Sequence, residues 1–325
     1  MAVHQVLGGA TTGMLAVLIV TAAACDPTHQ SAAPPTASPP ITSVAATPTT
    51  APSTTTRATV IPTTAPPVTT AATRAATTTT TARREAIPPT GLGGGPGTFK
   101  PDGSGVLNGK IVTVDPGHNG GNFTDTQYIN RIIFNGREPE TCDTTGTETD
   151  AGYTEALFTW NVARYLTADL RSEGATVVLT RTSNTGVGPC VTERAAIGND
   201  AHSDAAVSIH ADGGPPGGRG FTILEPVADG PNDAIVAPSQ VLGDDLRQAF
   251  LAGTHEPISD YYGTDGIEPR DDLGGINLST VPKVFIECAN MRNATDAALV
   301  ITTRWQVEAA HAIAAGLRTF LTART

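Results

Sequence analysis

Hydrophobic and polar positions change rhythm three times along the chain. Residues 7–24 are almost all apolar or small, with Leu15, Val17, Leu18, Ile19 and Val20 at the heart of a run that stops at Cys25. Residues 26–97 form a Thr, Ala and Pro tract with hardly any large apolar side chains, too few to offset the entropy of ordering, so this stretch reads as a linker. Periodicity then begins. Residues 110–114 are a short β-branched run halted by Asp115-Pro116-Gly117, which predicts a buried strand and a turn. A polar excursion over 119–150 shows no helical period. After Gly152, the residues Leu157, Trp160, Ala163, Leu166 and Leu170 recur at spacings of three and four until Glu173-Gly174, which predicts a helix with one buried face. Further strand-like runs at 175–180, 205–209, 221–224 and 283–286 alternate with helical stretches near 192–202 and 239–251. A last helix is expected over 296–320. Strands alternating with helices predict one α/β domain built on a mostly parallel sheet that is buried on both faces.

The three rhythms divide the chain into an export segment (1–25), a linker (26–97) and a folded domain (98–325). The apolar run reads as a secretory signal or an anchor, and Ala22-Ala23-Ala24-Cys25 fits either a signal-peptidase site or a degenerate lipoprotein site with Cys25 acylated. Either reading places the domain outside the cytoplasm; the anchor reading adds membrane attachment through the N-terminal segment or a lipidated Cys25, and signal-peptidase cleavage releases the chain. A Pro-rich tether reaches up to ~3.1 Å per residue, enough to hold the domain away from a membrane. Export also puts the chain where disulfides persist. Of the four cysteines, Cys142 and Cys190 lie in Gly-, Thr- and Pro-rich loop sequence and are expected to pair, whereas Cys288 follows a strand and is expected to be buried. Without the segment before Ala86 the chain keeps 16 Lys and Arg against 29 Asp and Glu, a formal charge of −13, which argues against a nucleic-acid surface.

Three polar residues directly follow apolar strands: His118 after Val114 and its turn, His210 after Ala206-Val207-Ser208-Ile209, and Glu287 after Val284-Phe285-Ile286. A parallel sheet brings the carboxyl ends of its strands to one rim, where ligands of open α/β sheets bind. Glu155 falls in the first turn of the long helix, where the helix dipole favours a carboxylate in any case. Two imidazoles and one carboxylate are a standard catalytic zinc set with the fourth position left for water. A second carboxylate can then act as general base. Glu287 is the hardest of these to read as merely structural, because an ionisable group ending so apolar a strand is costly unless paired or functional.

At these residues the chain resembles the zinc-dependent N-acetylmuramoyl-L-alanine amidases. The resemblance lies in Ile-Val-Thr-Val-Asp-Pro-Gly-His-Asn-Gly (111–120), Gly-Tyr-Thr-Glu (152–155), Ser-Asp-Ala-Ala-Val-Ser-Ile-His-Ala-Asp (203–212) and Phe-Ile-Glu-Cys-Ala-Asn-Met-Arg-Asn (285–293), four motifs in the right order across 110–320. It implies a mixed, largely parallel sheet flanked by helices with the site at the carboxyl ends of the strands. It further implies Zn2+ held by His118, Glu155 and His210, Glu287 as the catalytic carboxylate, and hydrolysis of the amide between N-acetylmuramic acid and the L-alanine of the peptidoglycan stem peptide. The chain departs from the family at Ala211-Asp212, where Ala-Asn is usual, and at Cys288-Ala289-Asn290, where a small or apolar pair ending in Phe is usual. Both departures adjoin site residues and bear on substrate fit.

The expected partner is peptidoglycan or its muropeptide fragments, and the expected state is a monomer. Arg181, Arg194 and Arg219 are candidates to meet stem-peptide carboxylates, with structural ion pairing the commoner role for each. His202, His255 and His311 lack a strand-end context and read as solvated or structural. Asp115 is a candidate to orient a ligand imidazole from behind, although Asp-Pro-Gly is also good turn chemistry. The metal chemistry alone also permits a zinc peptidase acting within the stem peptide. A third reading, an inactive wall-binding or regulatory module, is disfavoured by retention of all four site residues.

Overall fold

A computed structural model describes residues 95–228 and 230–323. The export segment, Cys25 and most of the expected linker lie outside the described residues. No helix among the described residues is long and apolar enough to cross a membrane.

Seven strands form one sheet in the order β1-β5-β2-β6-β9-β7-β8. They are β1 (Gly97–Phe99), β2 (Ile111–Pro116), β5 (Thr176–Leu179), β6 (Ala205–Asp212), β7 (Thr222–Pro226), β8 (Ile267–Arg270) and β9 (Lys283–Asn290). The central strands β5, β2, β6 and β9 are parallel. At the edges, β1 runs antiparallel to β5 and β7 antiparallel to β9, with β8 parallel to β7. The sheet is therefore mixed and largely parallel, as expected. The helices are α1 (Thr126–Ile129), α2 (Glu155–Ser172), α3 (Val191–Asp200), α4 (Asp233–Thr254), α5 (Gly274–Asn277), α6 (Ala294–Val300) and α7 (Thr303–Thr322).

The strands alternate with period two, and the alternation separates two faces. On one face Val112, Val114, Val177, Leu179, Val207, Ile209, Val284 and Ile286 are all completely buried and belong to a single core with residues of α2, α4 and α7. On the other face the same strands present Thr113, Asp115, Ser208, His210, Lys283, Phe285 and Glu287. In register, Ser208 lies beside both Asp115 and Phe285, and His210 beside Glu287. The apolar patch on this second face is small: Leu224, Ile276 and Phe285.

Helix α2 begins at Thr154, whose hydroxyl accepts from Leu157 N, and ends at Glu173 followed by Gly174 with φ of +100°. Its buried stripe runs through Ala156, Trp160, Ala163, Leu166 and Leu170, with Phe158 and Val162 widening it. Leu157 is only partly buried, a correction to the expected face. The expected final helix is two helices, α6 and α7, with Thr302 capping the second through Trp305 N. The polar excursion contains a hairpin of β3 (Ile132–Phe134) and β4 (Pro139–Thr141), turned by Asn135, whose Oδ1 accepts from Arg137 N and Glu138 N. A disulfide joins Cys142, just past the hairpin, to Cys190 at the start of α3, and Cys288 is a buried free thiol.

Candidate active site

The turn after β2 puts His118 at the rim with φ of +56°, and β6 carries His210 to the same rim. Between them Glu155 projects from the first turn of α2. His118 Nε2 lies 3.2 Å from Glu155 Oε2, and His210 Nδ1 lies 2.9 Å from Glu155 Oε1. One ligand atom from each of the three falls within 4.8 Å of the others, a set able to hold a metal ion. Backbone amides complete the carboxylate's shell: Thr147 N donates to Glu155 Oε2 at 2.9 Å and Ala211 N to Oε1 at 3.2 Å.

The remaining ring nitrogens each have a partner behind the cluster, which orients both rings. His118 Nδ1 lies 3.2 Å from Asp143 Oδ1, and His210 Nε2 lies 3.2 Å from Ser208 Oγ. Asp143 came from the excursion that carried no periodic signal, and its role was not visible in the sequence. Asp115 touches neither imidazole directly. Its carboxylate accepts from Ser208 Oγ at 3.0 Å, Thr180 Oγ1 at 2.7 Å, Arg194 Nη1 at 2.9 Å and Lys283 Nζ at 3.1 Å. Through Ser208 it reaches His210, and through Arg194, which also donates to Asp143 Oδ2 at 3.1 Å, it reaches His118.

The electrostatics follow from this wiring. Burial alone would lower the His118 pKa, but Glu155 and Asp143 raise it to about 10, so the cluster is a place that stabilises positive charge. Burial works against the charged forms of Glu155 and Asp143 too. The adjacent imidazoles hold Glu155 well below the usual carboxylate range, and Arg194 and His118 hold Asp143 down to about 2. Glu287 is the opposite case. Burial, then the charges of Glu155 and Asp212, push it well above the carboxylate range. Its Oε2 is buried without a hydrogen-bond partner.

All four residues line one cleft of about 400 Å³, with Asp143, Thr147, Asp212, Arg270 and Phe285 among its walls. Phe285 stacks on the His210 ring, with centroids 5.0 Å apart and planes 4° apart. Arg270 is ion-paired to Asp272 and donates to the Tyr262 hydroxyl.

The other candidates fall elsewhere. Arg181 is fully buried and donates to Pro116 O, Gly117 O, Ala156 O and Ser183 O, and burial followed by Arg194 lowers it to about 9. Arg194 is committed to Asp115 and Asp143, and Arg219 to Glu256 and Asp296. All three arginines thus serve the fold. His202 and His255 are exposed and end helices with positive φ, while His311 pairs with Asp169. Of the two departures in sequence, Asp212 lines the cleft and accepts from Tyr261 Oη at 2.8 Å. Asn290 instead pins the 213–220 loop, donating to Pro215 O and Gly218 O.

The sequence model of the N-acetylmuramoyl-L-alanine amidase family matches residues 112–319. The chain is 36% identical over 222 residues, 66% of its own length and 88% of the relative's, to the N-acetylmuramoyl-L-alanine amidase Rv3717 of Mycobacterium tuberculosis. Among solved structures it is similar to the N-acetylmuramyl-L-alanine amidase Ami1 of Mycobacterium smegmatis, with 39% identity and a TM-score of 0.64 over 67% of this chain and 99% of that one. Ami1 of Mycobacterium abscessus gives 38% identity and a TM-score of 0.62 over 66% and 99%.

Proposed function

The chain belongs to the N-acetylmuramoyl-L-alanine amidase family, and from that premise we propose that it is an exported peptidoglycan hydrolase. In this reading it cuts the amide between N-acetylmuramic acid and the L-alanine of the stem peptide. His118, Glu155 and His210 hold a zinc ion, and Glu287 is the general base and acid. The observation that carries the reading is one cleft holding a fully partnered three-residue ligand set and, beside it, a carboxyl group with a buried, unpartnered oxygen. The donor set suits zinc: two imidazole nitrogens and a carboxylate converge, each imidazole is fixed by a hydrogen bond at its other nitrogen, and the site favours positive charge.

When bound, the metal would supply a Lewis acid for the amide carbonyl and lower the pKa of water towards ~7. Glu287 takes a proton from the attacking water and passes it to the departing L-alanine nitrogen. Its raised affinity for protons matches that double duty, since a carboxylate at its ordinary pKa would be a weaker base and would not hold the proton for transfer. Asp143 and the Asp115–Ser208 pair keep the two imidazoles aimed inward. In this reading the substrate and the N-terminal apolar run agree on a location outside the cytoplasm, with the chain either released by signal cleavage or anchored through that segment or a lipidated Cys25.

The test is a pair of variants assayed for bound zinc and for turnover. Glu287→Ala is expected to keep zinc and lose activity, and His118→Ala to lose both. A Glu287→Ala protein that is fully active would end the proposal.

A further inference from the structure

The loop between β6 and β7, residues 213–220, walls the cleft on the side of Glu287. Gly213 lines the cleft itself, and Gly214 and Pro215 line an adjoining cavity of about 280 Å³ that shares Asp212, Arg270 and Glu287 with it. The loop reads Gly-Gly-Pro-Pro-Gly-Gly-Arg-Gly, so prolines apart its only side chain is that of Arg219. With no large apolar group to bury, its position depends on polar contacts.

Those contacts converge on two buried acids. Asn290, three residues beyond Glu287 on β9, donates through Nδ2 to Pro215 O and Gly218 O, at 2.8 Å each. Asp296 of α6 accepts at Oδ2 from Gly220 N at 2.9 Å and from Asn290 N at 3.1 Å. Arg219 Nε lies 3.0 Å from Asp296 Oδ1, and Arg219 Nη2 donates to Glu256 Oε1 at 3.0 Å. Asp260 and Asn293 add contacts to Arg219 N and Pro216 O nearer the surface. Glu256 is 1% exposed and Asp296 is completely buried, so one guanidinium faces two buried carboxyl groups. Two ionised carboxylates would leave an uncompensated buried charge, and one proton held between them removes it.

We infer that Glu256 and Asp296 are a proton-sharing carboxyl pair that holds the 213–220 loop against the cleft through Arg219, Gly220 and Asn290, and that loss of the proton loosens the loop. The effect on catalysis rests on the amidase reading above. There the leaving nitrogen takes its proton from Glu287, so the amine half of the substrate lies along this loop. Glu256, Asp296 and Arg219 are positioning residues, since none of them lines the cleft.

The direction of the pH dependence follows from the burial. Burial, then Asp296, push Glu256 up from an ordinary 4.5 to about 7. The proton is bound more tightly while the loop is held, so the hold is complete below the ordinary value, weakens as pH rises and is gone above about 7. The other groups around Glu256 do not replace it. Cys288 of β9 is pushed well above the thiol range by burial and stays neutral. Arg304 and Glu308 of α7, which share a cavity with Glu256, pair with each other, and His255 beside it is exposed.

Amide hydrogen exchange of the full chain tests the pair without any assay of cleavage. Peptides covering 213–220 are compared at about pH 5 and about pH 8, corrected for intrinsic rates, and wild-type protection is expected to drop about tenfold between them. Glu256→Gln keeps a carbonyl for Arg219 and an N–H for Asp296, has no proton to lose and leaves His255 in place. It is expected to keep the protection at both pH values, whereas Arg219→Gln is expected to lack it at both. With N-acetylmuramoyl-L-alanyl-D-isoglutamine and the zinc-loaded chain, KM of Glu256→Gln is expected to match wild type at about pH 5 and to lie about fivefold below it at about pH 8, with kcat unchanged. A wild-type loop equally protected at both pH values, or the same drop in Glu256→Gln, overturns the pair. Equal KM for the two proteins at the higher pH overturns its role in placing substrate. Exchange as expected, with no cleavage by wild type, leaves the pair standing and ends the amidase reading alone.

Discussion

The two faces of the central sheet are made by alternate residues of the same strands, yet they carry opposite duties. On β9, Val284 and Ile286 point into the core under α2, α4 and α7, while Phe285 and Glu287 point into the cleft. On β6, Val207 and Ile209 face the core, and Ser208 and His210 face the cleft. These core-facing residues are fully buried in one apolar core with α2, α4 and α7. The cleft face contains buried charges, each held by a named partner except Glu287. A one-residue step along a strand therefore separates what stabilises the fold from what performs the chemistry, because strand side chains alternate strictly.

Neighbouring residues on β9 give the largest test of that division. Glu287→Gln keeps the shape and removes the ionisable oxygen, so turnover is expected to fall about 10³-fold while the denaturant midpoint stays within error. Ile286→Ala, one residue away, is expected to leave turnover per folded molecule unchanged and to cost about 2–5 kcal/mol in denaturant unfolding, as for other large-to-small core changes. If the two effects were interchanged, the two faces would not be separable.

The disulfide sharpens the comparison on the cleft side, where the hairpin and α3 have little apolar core beneath them. Replacing both Cys142 and Cys190 with Ser is expected to lower stability by about 2–4 kcal/mol, measured by urea unfolding of the oxidised protein and the variant. Asp143→Asn should weaken zinc binding by about tenfold to a hundredfold in a chelator competition, because the His118 ring loses its carboxylate partner. A smaller effect follows in acid. Asp143 is held to about 2 against an ordinary 3.8, so its contribution is complete above the ordinary value and is lost as pH falls through about 2. Asp143→Asn should therefore unfold with a shallower acid dependence between about pH 4 and 2, followed by circular dichroism.

Much of this was legible in the chain because strong local signals agreed with the tertiary fold. The β-branched runs before His118, His210 and Glu287 announced strands, and a parallel sheet necessarily gathers their carboxyl ends. The helix bearing Glu155 was marked by its apolar spacing and its glycine stop. What escaped had no local pattern. The edge strand β8 contains Pro269, which disguises a strand but is tolerated at a sheet edge. The hairpin strands are three residues long with their large side chains, Ile132 and Phe134, facing solvent. Asp143 gains its role only from a partner 25 residues away and from the adjacent disulfide. For Arg181 and Arg194 the structural role, which sequence reasoning held the commoner one, is the role seen: both are buried and bound to carbonyl or carboxylate partners.

The central claim is a metal-dependent cut at one particular amide. The direct measurement is digestion of purified muropeptides by the protein with chelator, without it, and after zinc is restored, with products identified by mass. The account predicts free stem peptide beginning at L-alanine, abolished by the chelator and recovered with zinc. Cuts between stem residues, or release of the same peptide at an undiminished rate in chelator, would contradict it.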